Sequence, residues 1–515
     1  MRTYQDYLTT GSSAAQVLLI AVLAVPAIGA LVVALLPSRR DRAARIVATA
    51  FAAVTFVLTA LLAVSRADFG WFTTADRPPA VLPWIDVRVS WVPTLGIDFH
   101  LGVDGISYPL VVLTGLLTLL CCAYTVWKVP EGGRGRTLAA LLLVLEVGIL
   151  GTFLALDLVL FFIFFEVVLL PMYAVIAGWG GPQRRRAARK FVLYTLFGSV
   201  LLLLGVFTVV VAAGTGDLLT LTGGAGLSRT VQCAAFALFA VAFAVKAPLW
   251  PLHTWLPDAH TEAPTVGSVI LAGVLLKMGT YGLIRVGVGV APLGAAWAAP
   301  VLGVLAVAAI IVGSLVCLRQ TELKRLIAYS SVGHMGFVLL GIATLTATGV
   351  QAALIGNVAH GVITGLLFFL AGAIKDRAHT GSLADLGGLR ETAPRLAGLL
   401  GFAAIASLGL PGLAGFWGEA FAVVAAAERG GPLWTTLAVL AAVGGALTAA
   451  YFLRLLRRVT HGPASPAVTG FTGITRPEWL AWSPLVLLAL AIGLVPALAL
   501  AFTADPVAAL TGVLR

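Results

Sequence analysis

The chain has 515 residues, of which 60% are hydrophobic and 11% charged, with a mean hydropathy of +1.02. These values exclude a water-soluble protein of ordinary composition and leave no length for a large soluble domain. The formal net charge of +11 does not indicate nucleic acid, because the basic residues are spread over short loops with no aromatic-interleaved patch.

A membrane span needs roughly 20 apolar residues, and the apolar runs predict about fourteen spans. They fall at 14–36, 46–65, 106–127, 137–155, 157–177, 190–213, 231–250, 264–287, 296–318, 325–343, 350–374, 396–427, 433–456 and 479–501. The first run is too long for a signal peptide's apolar region and is followed by Arg39, Arg40 and Arg42, so it reads as a retained span. Cys121, Cys122, Cys233 and Cys317 lie in apolar runs with no CxxC spacing or His at metal-ligand spacing. They predict packing, and no metal site.

The positive-inside rule tests the span count, since a missed helix would scramble which loops are basic. Loops after odd-numbered spans hold 23 of the 33 basic residues, from Arg39 to Arg476. The other side, with both termini and the acidic segment 66–104, holds eight, Arg285 and Arg515 included. This parity places both termini outside a multi-pass bacterial cell membrane. It also predicts that 137–176 is two spans turning near Asp157 and that 231–258 crosses once. Two basic residues, Lys246 and Lys277, remain within spans.

Span seven is interrupted by Lys246-Ala-Pro-Leu-Trp-Pro-Leu-His253, and span twelve by Gly409-Leu-Pro-Gly412. Prolines remove backbone donors and kink a helix. Counted in fives from the fourth and ninth spans, each break falls in the fourth helix of its set. Five is odd, so the repeat is inverted, the arrangement in which broken helices flank a transport site near mid-membrane. The expected fold is therefore an all-α polytopic membrane protein with two inverted five-helix repeats, each containing a broken helix. Its predicted parts are three spans and a long external loop (1–136), the two repeats (137–290 and 291–458), and a C-terminal loop with the last span (459–515).

A charge at mid-membrane costs about 2.5–3.5 kcal/mol on insertion scales and so needs a partner, a cavity or a function. Glu146, Glu166, Lys246, Lys277 and Glu419 all lie within spans. Only six basic residues are Lys, yet the two deepest are both Lys. A buried Lys can exchange its proton where Arg cannot. Glu166 is the candidate carboxylate switch for Lys246. His334 and His360, mid-span in spans ten and eleven, can pass protons through both ring nitrogens and bridge Lys277 to Glu419. His253 and His260 flank the first break and suit either inner-side proton uptake or helix capping, while Asp157 and Glu262 read as turn and cap residues.

At these residues the chain resembles the antiporter-like proton-translocating subunits of respiratory complex I (NADH-quinone oxidoreductase). The resemblance rests on Phe99-His-Leu-Gly-Val-Asp-Gly-Ile-Ser107, 161–171, KAPLWPLHTWLPDAHTEAP from Lys246 to Pro264, Leu275-Leu-Lys-Met-Gly, Ser330-Ser-Val-Gly-His334 and 409–419. The acid at Glu419 resembles the M-type subunit, since L-type and N-type relatives usually place Lys there. The long lateral helix of subunit L is also missing from the resemblance.

The resemblance implies a central axis of Glu166, Lys246, Lys277 and Glu419, fed from the inner side and discharging outside. It also implies that FMN, iron–sulfur clusters and quinone belong to partner subunits, because no Gly-rich nucleotide loop or iron–sulfur cysteine set is present here. Neighbouring antiporter-like subunits, the lateral helix of subunit L and lipids are the implied partners. Glu146 matches no family motif. A cation/proton antiporter subunit or a membrane-bound hydrogenase subunit is an alternative within the superfamily, and a non-transporting membrane scaffold is an alternative of another class.

Overall fold

A computed structural model describes residues 13–64, 82–130 and 132–512. Among the described residues, 13 helices are long and apolar enough to cross a membrane. Span twelve is divided into Pro394–Ser407 and Ala414–Arg429, and with it the crossings number fourteen in the predicted order. The turn near Asp157 lies between Gly135–Leu154 and Leu158–Trp179. The protein is thus a multi-pass helical membrane protein. Part of the predicted external segment 66–104, both termini and Arg515 lie outside the described residues.

Burial separates the helices into two classes. Thr265–Val288 and Ala347–Ala378, spans eight and eleven, are buried along their whole apolar length, whereas the first two spans are about one-third buried. A helix apolar all round belongs inside a bundle or in lipid. Spans eight and eleven occupy the protein's centre, so the polar residues that they carry face protein. Small residues permit the close crossings: a Cβ on Gly279 would lie 2.8 Å from the Ala247 nitrogen, and one on Gly418 would lie 2.5 Å from Gly356 Cα.

The two five-helix sets repeat one another in detail. In the first, Asp157 precedes span five and its carboxylate accepts hydrogen bonds from the amides of Val159 and Leu160. In the second, Glu322 precedes span ten and accepts from Arg325. Each acid also sits in a short antiparallel bridge to the segment after the set's third helix, Asp157 with Asp217 and Glu322 with Ser382. The bridging hydrogen bonds match: Leu158 to Gly216 and Leu218 to Leu156 in one set, Leu323 to Gly381 and Leu383 to Thr321 in the other, all 2.8 Å. Glycine at both crossings leaves room for the capping acids, since a Cβ on Gly216 would meet the Asp157 carboxylate at 2.5 Å and one on Gly381 the Glu322 carboxylate at 2.4 Å. The two bridges lie five crossings apart and so at opposite ends of the bundle, as an inverted repeat demands.

A two-stranded hairpin was not foreseen in the external segment. β1 (Ile85–Val92) pairs antiparallel with β2 (Ile97–Val103), turning at Gly96, whose φ is +61°. The Leu156 amide donates to the His100 carbonyl and the Gly216 amide to the Gly96 carbonyl, tying the hairpin to the bridge before span five. Gly216→Val and Gly381→Val are each expected to displace a capping carboxylate and destabilise the protein by about 1–3 kcal/mol. Thermal unfolding of the purified complex in detergent checks this, and an unchanged midpoint for both would refute it.

Candidate functional site

The break in span seven follows from its prolines. Pro248 has no N–H for the Ala244 carbonyl, which accepts instead from Leu249 at 2.9 Å. The Val245 carbonyl accepts from the Trp255 indole at 3.0 Å. The first half-helix therefore ends at Lys246, and the second resumes as Trp255–Glu262. Lys246 is buried, with its ammonium 4.5 Å from the centre of the Phe165 ring.

Glu166 lies in the last turn of Leu158–Val167, which Val168, itself with helical angles, joins to Leu169–Trp179. Its carboxylate accepts a hydrogen bond from the Ser199 hydroxyl of span six. Among the described residues no ion pair joins Glu166 to Lys246. The cation lies over Phe165 and the carboxylate is engaged by Ser199, with the two charges still close enough to interact through space.

Span eight is distorted around Lys277. Wider π-helical turns at Leu271–Leu275 and Leu283–Val288 flank the regular segment Leu276–Gly282. Such turns release carbonyls from the usual ladder and are frequent at functional sites. The fully buried Lys277 amine donates to the Ala272 carbonyl at 2.5 Å and lies 2.6 Å from His360 Nδ1. Behind it, Thr280 donates to Asn357 Oδ1 at 2.9 Å.

From His360 the row continues. The His360 and His334 rings are 5.7 Å apart between centres. His334 Nδ1 lies 2.6 Å from Glu419 Oε1, and its Nε2 lies 3.0 Å from the Ser407 hydroxyl. Ser407 ends the first half of span twelve and Glu419 lies in the second, so the break presents both to His334. The turn between them uses Gly409 and Gly412, with φ of +79° and +90°. A small cavity beside this contact is lined by His334, His360, Ser407 and Glu419 among others.

The chain as a whole is similar to proteins of known kind. Residues 155–447 match the family model described as NADH:quinone oxidoreductase/Mrp antiporter, transmembrane. A Synechococcus NAD(P)H-quinone oxidoreductase chain 4 is 44% identical over 419 residues, 80% of this chain and 79% of that one. The NADH-quinone oxidoreductase subunit M of Rhodobacter capsulatus is 41% identical over 471 residues, covering 89% and 88%. A chain in the structure of respiratory complex I from Thermus thermophilus superposes with a TM-score of 0.83 at 30% identity, over 97% of this chain and all of that one. The chain belongs to the NADH:quinone oxidoreductase/Mrp antiporter membrane-subunit family. The Mrp complex from a Dietzia species shares the fold, with a TM-score of 0.80 at 24% identity.

Other candidates in this family member stand apart from the row. Glu146 is fully buried in span four, with neither carboxylate oxygen hydrogen-bonded. Its electrostatic neighbour is Cys122 of span three. The buried His253 ring lies against Tyr329 at 6.1 Å. His260 is fully buried, stacked on Phe368 at 4.5 Å, with both ring nitrogens unpaired. Glu262 accepts from the Gln183 amide at 2.8 Å and so braces the start of span six rather than its own helix.

Sequence reasoning missed Ser199, Ser407, Thr280 and Asn357, which are ordinary small polar residues within apolar runs. It also missed the buried Arg285–Asp104 ion pair at 2.8 Å. Thr280→Val is expected to leave buried Asn357 Oδ1 without its donor and to cost about 1–3 kcal/mol. Thr280→Ser should restore the loss. Thermal midpoints of the two purified variants check this, and equal midpoints would refute the assignment.

Proposed function

We propose that this chain is a proton-translocating membrane-arm subunit of a bacterial NADH-quinone oxidoreductase. In this reading protons move from the inner side to the outer side along Glu166, Lys246, Lys277, His360, His334 and Glu419, driven by quinone reduction in partner subunits. The observation that carries the reading is the row from Lys277 to Glu419, with close polar contacts at 2.6 Å at both ends and two facing imidazoles between them. Such a row suits proton exchange because each imidazole can take a proton at one nitrogen and give one from the other.

Three features support direction and division of labour. By span order the basic loops fall on one side and the hairpin on the other, which supports reading the hairpin side, with both termini, as outer by the positive-inside rule. The two repeats, 137–290 and 291–458, each bring one broken helix to the axis, matching the arrangement of transport sites between inverted halves. The relatives named for NADH-quinone oxidoreductase supply the energy source: FMN and iron–sulfur chemistry belong to partner chains, and this chain carries no redox step. Neighbouring antiporter-like subunits, the lateral helix of subunit L and lipids cover the apolar outer faces. Glu146 and His253 are auxiliary proton stations.

The mechanism follows from the partners of each charge. An ammonium is favoured by a nearby carboxylate and disfavoured by an apolar surround. A shift of Glu166 between Ser199 and Lys246 therefore changes how readily Lys246 holds its proton, and a released proton is then available to the row that begins at Lys277. Glu166→Gln and Lys246→Ala are expected to cut proton pumping by roughly tenfold or more while the complex still assembles. The proton-to-electron ratio in reconstituted vesicles checks this. A normal ratio in both variants would favour a non-transporting scaffold, and a purified complex without flavin or iron–sulfur partners would favour a cation/proton antiporter.

A further inference from the structure

A second cluster of titratable groups lies outside the axis, under the hairpin. His100 of β2 is fully buried. Its Nδ1 lies 3.1 Å from Asp217 Oδ1, and its Nε2 lies 3.2 Å from Asp86 Oδ2 on β1. A neutral imidazole has a single N–H, so one of these contacts would set a ring lone pair against a carboxylate. Only the doubly protonated ring donates to both.

Asp217 Oδ1 faces His100, while its Oδ2 accepts from the Thr220 hydroxyl. Arg88 on β1 pairs with Asp98 on β2 at 2.6 Å and approaches Asp217 at 3.8 Å. Asp157, ahead of span five, is engaged by the amides of Asp98, Val159 and Leu160. Burial opposes charge on His100, but the hydrogen bonds and charges of Asp217 and Asp86 outweigh it and hold its pKa above the ordinary histidine value. For Asp217, burial pulls upward, yet His100 and Thr220 leave its pKa below the ordinary carboxylate value.

The cluster reaches the axis through the backbone. Asp217 is bridged to Asp157, and Asp157 caps the helix that carries Glu166 nine residues later, about 14 Å along the helix. The second repeat has the corresponding bridge at Glu322 and Ser382, but neither residue of it can play the part of a His–Asp clamp.

We propose that doubly protonated His100 is a positioning residue for proton transfer, clamping the hairpin to the outer end of the Glu166 helix and loosening it when the outer fluid turns alkaline. The inference rests on the proposed assignment of the hairpin side as outer and of Glu166 as a relay. The sign follows from linkage. A histidine whose folded pKa is raised contributes its stabilisation in full below the unfolded value and loses it as pH rises through the folded value. Acid delivered to the outer side thus keeps the clamp closed.

The test uses the intact complex in vesicles whose lumen faces the hairpin, with lumen pH set between about 6 and about 10 to span the histidine range. Amide hydrogen exchange of residues 85–103, corrected for its intrinsic pH dependence, is read beside the initial pumping rate. In the wild type, protection is expected to fall about tenfold across one midpoint, the size of a one-unit pKa difference, with pumping falling in parallel. Asp86→Asn should move that midpoint down by roughly one pH unit or more, and His100→Gln should show no midpoint. Flat protection in the wild type, an unmoved midpoint in Asp86→Asn, or pumping that ignores the loss of protection would each overturn the proposal. Normal pumping by Glu166→Gln would sink the relay reading instead, and the exchange midpoint reports on His100 whichever way that falls.

Discussion

Polar groups in the middle of this bundle have no bulk water to turn to, so one left without a protein partner is costly. Lys277 shows what that constraint builds. Its amine needs acceptors at the centre of a helix buried on every face, and the wide turn at Leu271–Leu275 frees the Ala272 carbonyl to supply one. His360 supplies the next. With Lys277 as donor, His360 Nδ1 accepts, and the ring proton sits on Nε2, which has no protein partner. The distorted helix, the neighbouring imidazole and the open nitrogen beyond it follow from one buried amine.

The same accounting orders the far end. If a neutral His334 donates from Nδ1 to Glu419, then its Nε2 is an acceptor and the Ser407 hydroxyl is its donor; a doubly protonated ring donates to both. If Glu419 is protonated, the roles reverse and Ser407 turns its hydroxyl. A hydroxyl rotor against a histidine is satisfied in both states. The break in span twelve is what permits this, since Ser407 and Glu419 belong to different half-helices and meet only because the turn at Gly409 and Gly412 folds one past the other.

Much of this was legible in the residues. Lys246, Lys277, Glu166 and Glu419 stand out because charge within an apolar run is costly, and Pro248, Pro251 and Pro411 mark the breaks by removing donors. His334 and His360 suggested a bridge from Lys277 to Glu419, and the structure places them in that gap. The π turns around Lys277 and the Ser199 contact were not legible, since each depends on a neighbour distant in sequence. The hairpin at Ile85–Val103 does alternate, in Ile85-Asp86-Val87-Arg88-Val89-Ser90 and Ile97-Asp98-Phe99-His100, and so was legible as strand. What the pattern did not show is that the polar face is turned to a buried network around His100 while Val89 and Trp91 are exposed.

The two ends of the axis are held unequally. At Glu419 a carboxylate, an imidazole and a hydroxyl form a closed set within hydrogen-bonding distance. At Lys246 the ammonium faces an aromatic ring, and the nearest acid is engaged by Ser199. A cation over an aromatic ring gains about 0.5–2 kcal/mol, whereas removing one partner from a buried ion pair costs about 3–5 kcal/mol. A Lys246 locked to Glu166 would therefore be a poor relay, because each turnover would have to break that pair before a proton could move. Holding the lysine by a weak, non-directional contact, with the acid parked one helix away on a serine, leaves two arrangements close in energy. In the proposed relay, that closeness would let a small displacement of span five decide where the proton sits, and would make the anchoring of that helix at Asp157 part of the same mechanism.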